Sequence, residues 1–341
     1  MDQCANLPDK ERKLYFEQTA AKMGHLPFVV EKDFWVCWTL KELFSLPEWG
    51  QHLTFKGGTS LSKAWKLIER FSEDIDLVID REFLGFGKDK DPASAPSKKQ
   101  TKNRLEELKK ASQEQVKTEL LPTLETHFSS ILKGGDWSLK MAEDDDDPQR
   151  QTILFLYPSL FPDVPRQMRR DVKMEFGARS DPEPSSTATV TPFVSECFPD
   201  AFKPASCEVM AVNAERTFLE KAMLLHEEGF RPADKKRKPG LSRHYYDLYQ
   251  LIRKGVAGRA IQDRKLFEKV AEHRPVFFRQ SWVDYTTLKY GELRLIPQTD
   301  LMDYWRSDYR DMSGEMFSRT APDFDEVMQT IDDFKTNWKS S

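Results

Sequence analysis

The sequence predicts an α+β fold: strands in the first two thirds of the chain, with helices among them, then a mainly helical C-terminal region. Three observations predict it. A strand-like run at residues 52–55 enters a Gly57-Gly58 turn and a helix-like stretch at 59–68, and Asp74-Ile-Asp76 then leads into Leu77-Val-Ile79. Residues 137–141, 152–157, 169–177, 188–191 and 207–212 have the alternation or β-rich composition of strands. Residues 8–46, 102–133 and most of the chain beyond 213 repeat apolar residues at helical spacing. A soft boundary near 213 divides a core of residues 1–212, N-terminal helices included, from a helical domain of residues 213–341.

Composition bounds the answer. A chain of 341 residues can bury a substantial core as one large or two medium domains. With 32% charged and 39% hydrophobic residues and a net charge of −4, it has a soluble, globular composition, and only local basic patches are left to attract nucleic acid. Cys4, Cys37, Cys197 and Cys207 lack Cys-x-x-Cys spacing. No signal-peptide pattern opens the chain, so they read as free thiols in a reducing cytoplasm. No apolar run is long enough to span a membrane, and no internal repeat is visible.

The N-terminal region reads as two helices. Pro8-Asp9 opens the first, whose buried side is Leu14, Phe16, Thr19, Ala20 and Met23; Gly24 ends it, and Pro27 begins the second. Val29, Val30, Phe34, Trp35, Trp38, Leu40 and Phe44 make the second helix largely buried. Glu31-Lys32-Asp33 interrupts that apolar face and reads as a solvated first turn. Residues 81–104, rich in Gly, Pro, Ser and Asp, read as a surface insertion after the Asp-x-Asp strand, with a flap over the site as the sharper reading. The helix at 102–133 has Leu105, Leu108, Ala111, Val116, Leu120 and Leu124 as its core side and a break at Pro122. The acidic run from Glu143 to Asp147 is a solvated hairpin connection: consecutive carboxylates on a turn cannot all face one ion.

The chemistry concentrates in two places. Glycines at 57 and 58 let backbone approach a phosphate closely, and the helix start that follows offers unpaired N–H groups and the hydroxyls of Thr59 and Ser60. Asp74 and Asp76 share one face of a strand, where they repel each other unless a cation lies between them, and hard oxygen donors of this kind suit Mg2+ together with substrate phosphates. In Arg169-Arg-Asp-Val-Lys-Met-Glu-Phe-Gly177, Asp171, Lys173 and Glu175 share a polar face and Val172, Met174 and Phe176 an apolar one. Farther on, the helix beginning Glu215-Arg-Thr-Phe-Leu-Glu-Lys221 places Lys221 beside its core stripe. Arg243 and Asp247 are four residues apart and can pair on one helix face. Lys235, Lys236, Arg237 and Lys238 form a basic loop, read equally as a phosphate-backbone contact and as a solvated loop. Trp282, Tyr285, Tyr290, Trp305, Tyr309 and Phe317 read mostly as core packing, with stacking on RNA bases as the sharper reading.

Strand, Gly-Gly-Thr-Ser, helix and Asp-x-Asp together resemble the DNA polymerase beta-type nucleotidyltransferase superfamily. Phe55-Lys-Gly-Gly-Thr-Ser-Leu-Ser-Lys63 and Arg70-Phe-Ser-Glu-Asp-Ile-Asp-Leu77 resemble its AbiEii/AbiGii toxin branch, which includes the MenT-type toxins, and the likeness runs from about residue 10 to the C-terminus. It implies a polymerase beta-like mixed sheet and a metal-dependent nucleotidyl transfer. Asp74 and Asp76 would hold Mg2+, with Mn2+ as substitute, and Glu175 (Asp171 in reserve) would serve as third acid. Gly57, Gly58, Thr59, Ser60, Lys63 and Lys221 would cradle the NTP triphosphate; Asp247 would position it or the nucleotide, and Arg243 belongs to the same motif. His244 stands where many relatives carry Asp, and Glu31-Lys32-Asp33 would lean against the catalytic strands. The implied setting is a toxin–antitoxin or phage-defence system with a tRNA 3′ end as acceptor and a cognate, AbiEi-like antitoxin. NMP transfer to a protein hydroxyl and a non-catalytic NTP- or RNA-binding module are the alternatives.

Overall fold

The computed structural model describes residues 1–143, 147, 149–161, 169–316 and 321–339, without the side chains of 314–316. Residues 144–146 of the acidic run and Phe317 therefore lie outside the described residues. The chain divides into two units: Met1–Ala64 with Ser72–Ala211, and Trp65–Phe71 with Val212–Ser341.

The first unit is built on one seven-stranded sheet. Its strands are β1 (Leu53–Lys56), β2 (Ile75–Ile79), β3 (Ser138–Met141), β4 (Thr152–Leu156), β5 (Asp171–Gly177), β6 (Ser185–Val190) and β7 (Cys207–Val212). Their order is β3-β4-β5-β2-β1-β7-β6. β1 is antiparallel to β2 and parallel to β7, β2 is parallel to β5, and β3, β4 and β5 are successively antiparallel. β2 and β5 thus lie side by side at the centre. β5 buries Val172, Met174 and Phe176 and leaves Asp171, Lys173 and Glu175 half-exposed, as its alternation requires.

Helices α1 (Asp2–Ala5), α2 (Asp9–Met23) and α3 (Pro27–Ser45) precede the sheet. Gly24 ends α2 at φ +72°, a left-handed cap that glycine adopts without strain, and Pro27 opens α3 where its missing N–H costs nothing. α2 buries Arg12, Phe16, Thr19 and Ala20; Leu14, expected inside, is 52% exposed because it lies off that stripe. α3 packs on β5 and contributes Trp35 and Trp38 to an aromatic core with Phe128, Phe155 and Tyr157.

Three expectations need correction. The helix after the glycines is α4 (Gly57–Thr59), continued by a π-helical turn at Ser60–Ala64, and it ends four residues before Ile68. The next seven residues, Trp65–Phe71, group with the second unit. The helix around Pro122 is α5 (Lys98–Gln115), a π turn at Val116–Leu120 and α6 (Leu121–Ile131). The wider turn lets the chain pass the proline ring, which would clash with the carbonyl four residues earlier. Asp147 is buried rather than solvated: its carboxylate accepts N–H bonds from Gln149, Gln151 and Thr152 at the start of β4. The 81–104 segment is tied to itself by Arg81–Asp91 at 3.2 Å and by Arg104 donating to the Asp91 carbonyl at 2.8 Å, as a surface insertion would be.

A short helix α7 (Phe193–Cys197) completes the first unit. The second unit is helical: α8 (Ala214–Glu228), α9 (Arg243–Arg253), α10 (Val256–Gln262), α11 (Arg264–Phe277), α12 (Met302–Met316) and α13 (Phe324–Lys339). α9 packs on α8, α10 and α13. Trp305 and Tyr309 are buried and Trp282, Tyr285 and Tyr290 partly so, which favours packing for most of these aromatics.

Candidate active site

The Gly turn and the Asp-x-Asp strand meet directly. Gly57 sits at φ +82°, and a Cβ there would lie 2.1 Å from Asp76 Oδ2. Glycine is thus required twice, by backbone conformation and by the carboxylate pressed against it. Gly57 and Gly58 are half-exposed, whereas Thr59 and Ser60 are buried. Their hydroxyls are engaged internally: Thr59 Oγ1 lies 2.8 Å from Ser72 Oγ, and Ser60 Oγ donates to the Gly57 carbonyl at 3.0 Å. In this conformation the open part of the turn is its backbone.

Strand register gathers the acids. Asp76 is opposite Glu175 on β5 and opposite Lys56 on β1. Opposed residues point to the same face, so Lys56, Asp76 and Glu175 form one row across three strands. Asp74 precedes β2 by one residue and is half-exposed, as are Asp76 and Glu175. Lys173 forms an ion pair with Glu175. Burial works against the Lys173 charge, but the Glu175 hydrogen bond and the fields of Glu175 and Asp74 outweigh it and raise its pKa. Asp171 is turned to Arg169, 2.9 Å away. Lys56 and Lys173 were not singled out from the sequence; their signal is adjacency, one beside Gly57 and the other two residues from Glu175.

The Glu-Lys-Asp string of α3 is buried, which overturns the solvated reading: Glu31 is 1%, Lys32 3% and Asp33 4% exposed. Lys32 donates to the carbonyls of Arg169 and Asp171 at the start of β5 and pairs with Glu73 at 3.1 Å. Asp33 pairs with Lys63 and accepts the Phe193 N–H at 2.7 Å. Glu31 accepts from Ser159 Oγ and the Leu160 N–H, each at 2.7 Å. The Lys63 ammonium, also stacked over Phe193 at 3.8 Å, is thus directed into the core. Three charges inside an apolar helix were the available signal: they stay there only with partners.

The second unit holds a separate polar cluster. Asp247 on α9 is fully buried and receives a two-pronged contact from Arg70, Nε to Oδ1 at 2.7 Å and Nη2 to Oδ2 at 2.8 Å. Lys221 on α8 pairs with the same carboxylate at 2.9 Å and donates to His244 Nδ1 at 3.3 Å. Burial opposes the Asp247 charge, but Arg70 and Lys221 outweigh it and hold the carboxyl far below the usual range. Burial, reinforced by Lys221 and Arg243, lowers the His244 pKa well below that of an ordinary imidazole. Asp247 takes Arg70 and Lys221 rather than Arg243, which is exposed, as its partners. Arg70 opens the Arg-Phe-Ser-Glu-Asp-Ile-Asp string, yet nothing local in sequence joins it to a residue 177 positions away. In the basic loop Arg237 turns inward to Glu228, while Lys235, Lys236 and Lys238 are exposed. Lys235 and Arg231 lie over the Trp282 ring at 4.5 and 4.6 Å.

A mixed sheet that sets a Gly-Gly helix start against an Asp-x-Asp strand, with a third acid on the parallel neighbour, defines a nucleotidyltransferase fold; here a mainly helical C-terminal region follows it. The sequence model of the nucleotidyl transferase AbiEii toxin family, type IV toxin–antitoxin system, matches residues 38–330, and the chain belongs to that family. It is therefore an enzyme of the transferase class, and the type IV description implies an antitoxin partner. A comparison with curated proteins finds no match. Among the described residues no helix is long and apolar enough to cross a membrane.

Proposed function

We propose that this protein transfers NMP from an NTP to an acceptor hydroxyl, with a tRNA 3′ end as acceptor, in the cytoplasm. The observation that carries the reading is the register placing Asp76 opposite Glu175 and hard against Gly57. Asp74, Asp76 and Glu175 are the residues that would hold Mg2+, for which Mn2+ can substitute. Among the described residues no three His, Cys, Asp or Glu side chains are gathered as a metal site. The donor chemistry nevertheless fits, because Mg2+ is commonly held by one or two carboxylates and completed by substrate phosphates. Bound there, the metal supplies positive charge to the attacking and leaving oxygens.

The chain's own contribution is positioning and charge. Backbone N–H groups at Gly57 and Gly58, residues without side chains of their own, receive the triphosphate. Glu175 polarises the acceptor hydroxyl. The acceptor hydroxyl gives its proton to the Glu175 carboxylate, the hydroxyl oxygen bonds to the α-phosphorus as the bond from that phosphorus to the α–β bridging oxygen breaks, and pyrophosphate leaves with that electron pair. Lys63, paired with Asp33, supports the turn from within. In the second unit Lys221 supplies cationic charge to phosphate, Asp247 and Arg70 hold it in place, and Arg243 is an exposed cation for the nucleotide. The exposed Lys235, Lys236 and Lys238 support an RNA acceptor as basic groups for its backbone.

The test is to incubate the protein with each labelled NTP, Mg2+ and total tRNA, beside Asp74→Ala/Asp76→Ala. Label on tRNA with the wild type alone is the expected result, and nucleotide dependence identifies the donor. Label on protein instead moves the acceptor to a protein hydroxyl. No label anywhere, with toxicity surviving in the double variant, overturns the enzymatic reading in favour of sequestration.

A further inference from the structure

Four charged residues form a square on one face of the central sheet. Asp76 faces Glu175, and Ile75 faces Met174. Continuing that parallel register by one residue sets Asp74 across from Lys173. Asp74 and Asp76 share a face because they are two apart, and so do Lys173 and Glu175. Three corners are carboxylates and the fourth is an ammonium. Lys173 is ion-paired with Glu175, its side chain 18% and that of Glu175 42% exposed. A divalent cation serving the same carboxylates would meet the ammonium at close range, and like charges at such separation in a partly buried site repel strongly.

We propose that Lys173 is the resident counter-ion of the carboxylate site: it holds Glu175 while no metal is bound, and a divalent metal must displace it to take that carboxylate. The inference rests on the metal-site reading above. Lys173 is a positioning residue that acts through Glu175. The displacement makes metal binding weaker than three carboxylates alone would allow. It also prevents the acids from repelling one another in the metal-free protein.

The test is Mn2+ binding followed by electron paramagnetic resonance on the full chain, without nucleotide, for wild type, Lys173→Met, Lys173→Gln, Lys173→Arg and Asp76→Ala. Removing the competing charge should tighten Mn2+ binding about tenfold in the Met and Gln variants. The Arg variant should stay near wild type. In EDTA the Met and Gln variants should melt below wild type, and Mn2+ should close that gap. Equal or weaker Mn2+ binding in the neutral variants overturns the inference while leaving the metal site standing. Mn2+ binding that is absent from wild type and neutral variants alike, with NTP added as well as without, or undiminished in Asp76→Ala, overturns the metal-site reading itself. Should the neutral variants fail to fold, acetylation of lysines in the wild type decides: Lys173 should label faster when Mg2+ is added, and unchanged labelling overturns the inference.

Discussion

Gly57 is the residue at which backbone geometry and chemistry are hardest to separate. Its positive φ excludes ordinary side chains, and the space its Cβ would fill holds an Asp76 oxygen 2.1 Å away. Gly57→Ala should cost about 1–3 kcal/mol of stability and should lower nucleotidyl transfer far more than that loss explains, because Asp76 must move. Urea denaturation beside a transfer assay separates the two effects; an active, merely less stable variant would sink the argument. This glycine was legible in the sequence as a phosphate turn. Its contact with Asp76 was not, since it depends on the pairing of β1 with β2. The same holds for Thr59 and Ser60, whose hydroxyls read as donors for a ligand but are engaged with Ser72 and Gly57.

Helix α3 shows what an element can conceal. Its start was legible because Gly24, which ends α2, and Pro27, which opens α3, act locally on backbone conformation. Its charged trio was not, because the partners come from residues 63, 73, 159–160, 169–171 and 193. Burial raises the Glu31 pKa from 4.5 to about 7, against the hydrogen bonds from Ser159 and Leu160 that favour its charged form. A carboxyl whose pKa rises on folding binds its proton more tightly in the folded state. That stabilisation is complete below pH 4.5 and is lost as pH rises through 7, about 1–3 kcal/mol in all. Glu31→Gln keeps the neutral shape without the titration, so its melting temperature relative to wild type should climb between pH 5 and 8. Parallel curves for the two proteins would show that Glu31 is not the titrating group.

At the scale of the whole molecule, chain order and packing part company at Trp65–Phe71. These residues sit between β1 and β2 in sequence yet belong to the helical unit. There Trp65 Nε1 donates to the Val212 carbonyl at 2.9 Å, and Arg70 holds the buried Asp247. Arg70→Met leaves Asp247 with Lys221 as its remaining ion-pair partner and should cost about 1–3 kcal/mol, the loss of charged hydrogen bonds to a buried carboxylate. Hydrogen exchange should then quicken in α8 and α9, and unchanged protection there would show that the pair is dispensable. Arg70→Lys should recover part of the loss, since an ammonium restores the charge without the two-pronged geometry. The sequence by itself determined the fold class, the helix boundaries at Gly24 and Pro27, the alternation of β5 and the family, because each is written in local spacing. Only the tertiary structure decided which groups meet: Asp76 against Gly57, Lys173 with Glu175, Lys32 at the start of β5, and Arg70 on Asp247. Partner choice between distant residues follows from strand register and helix packing, and no local pattern specifies either.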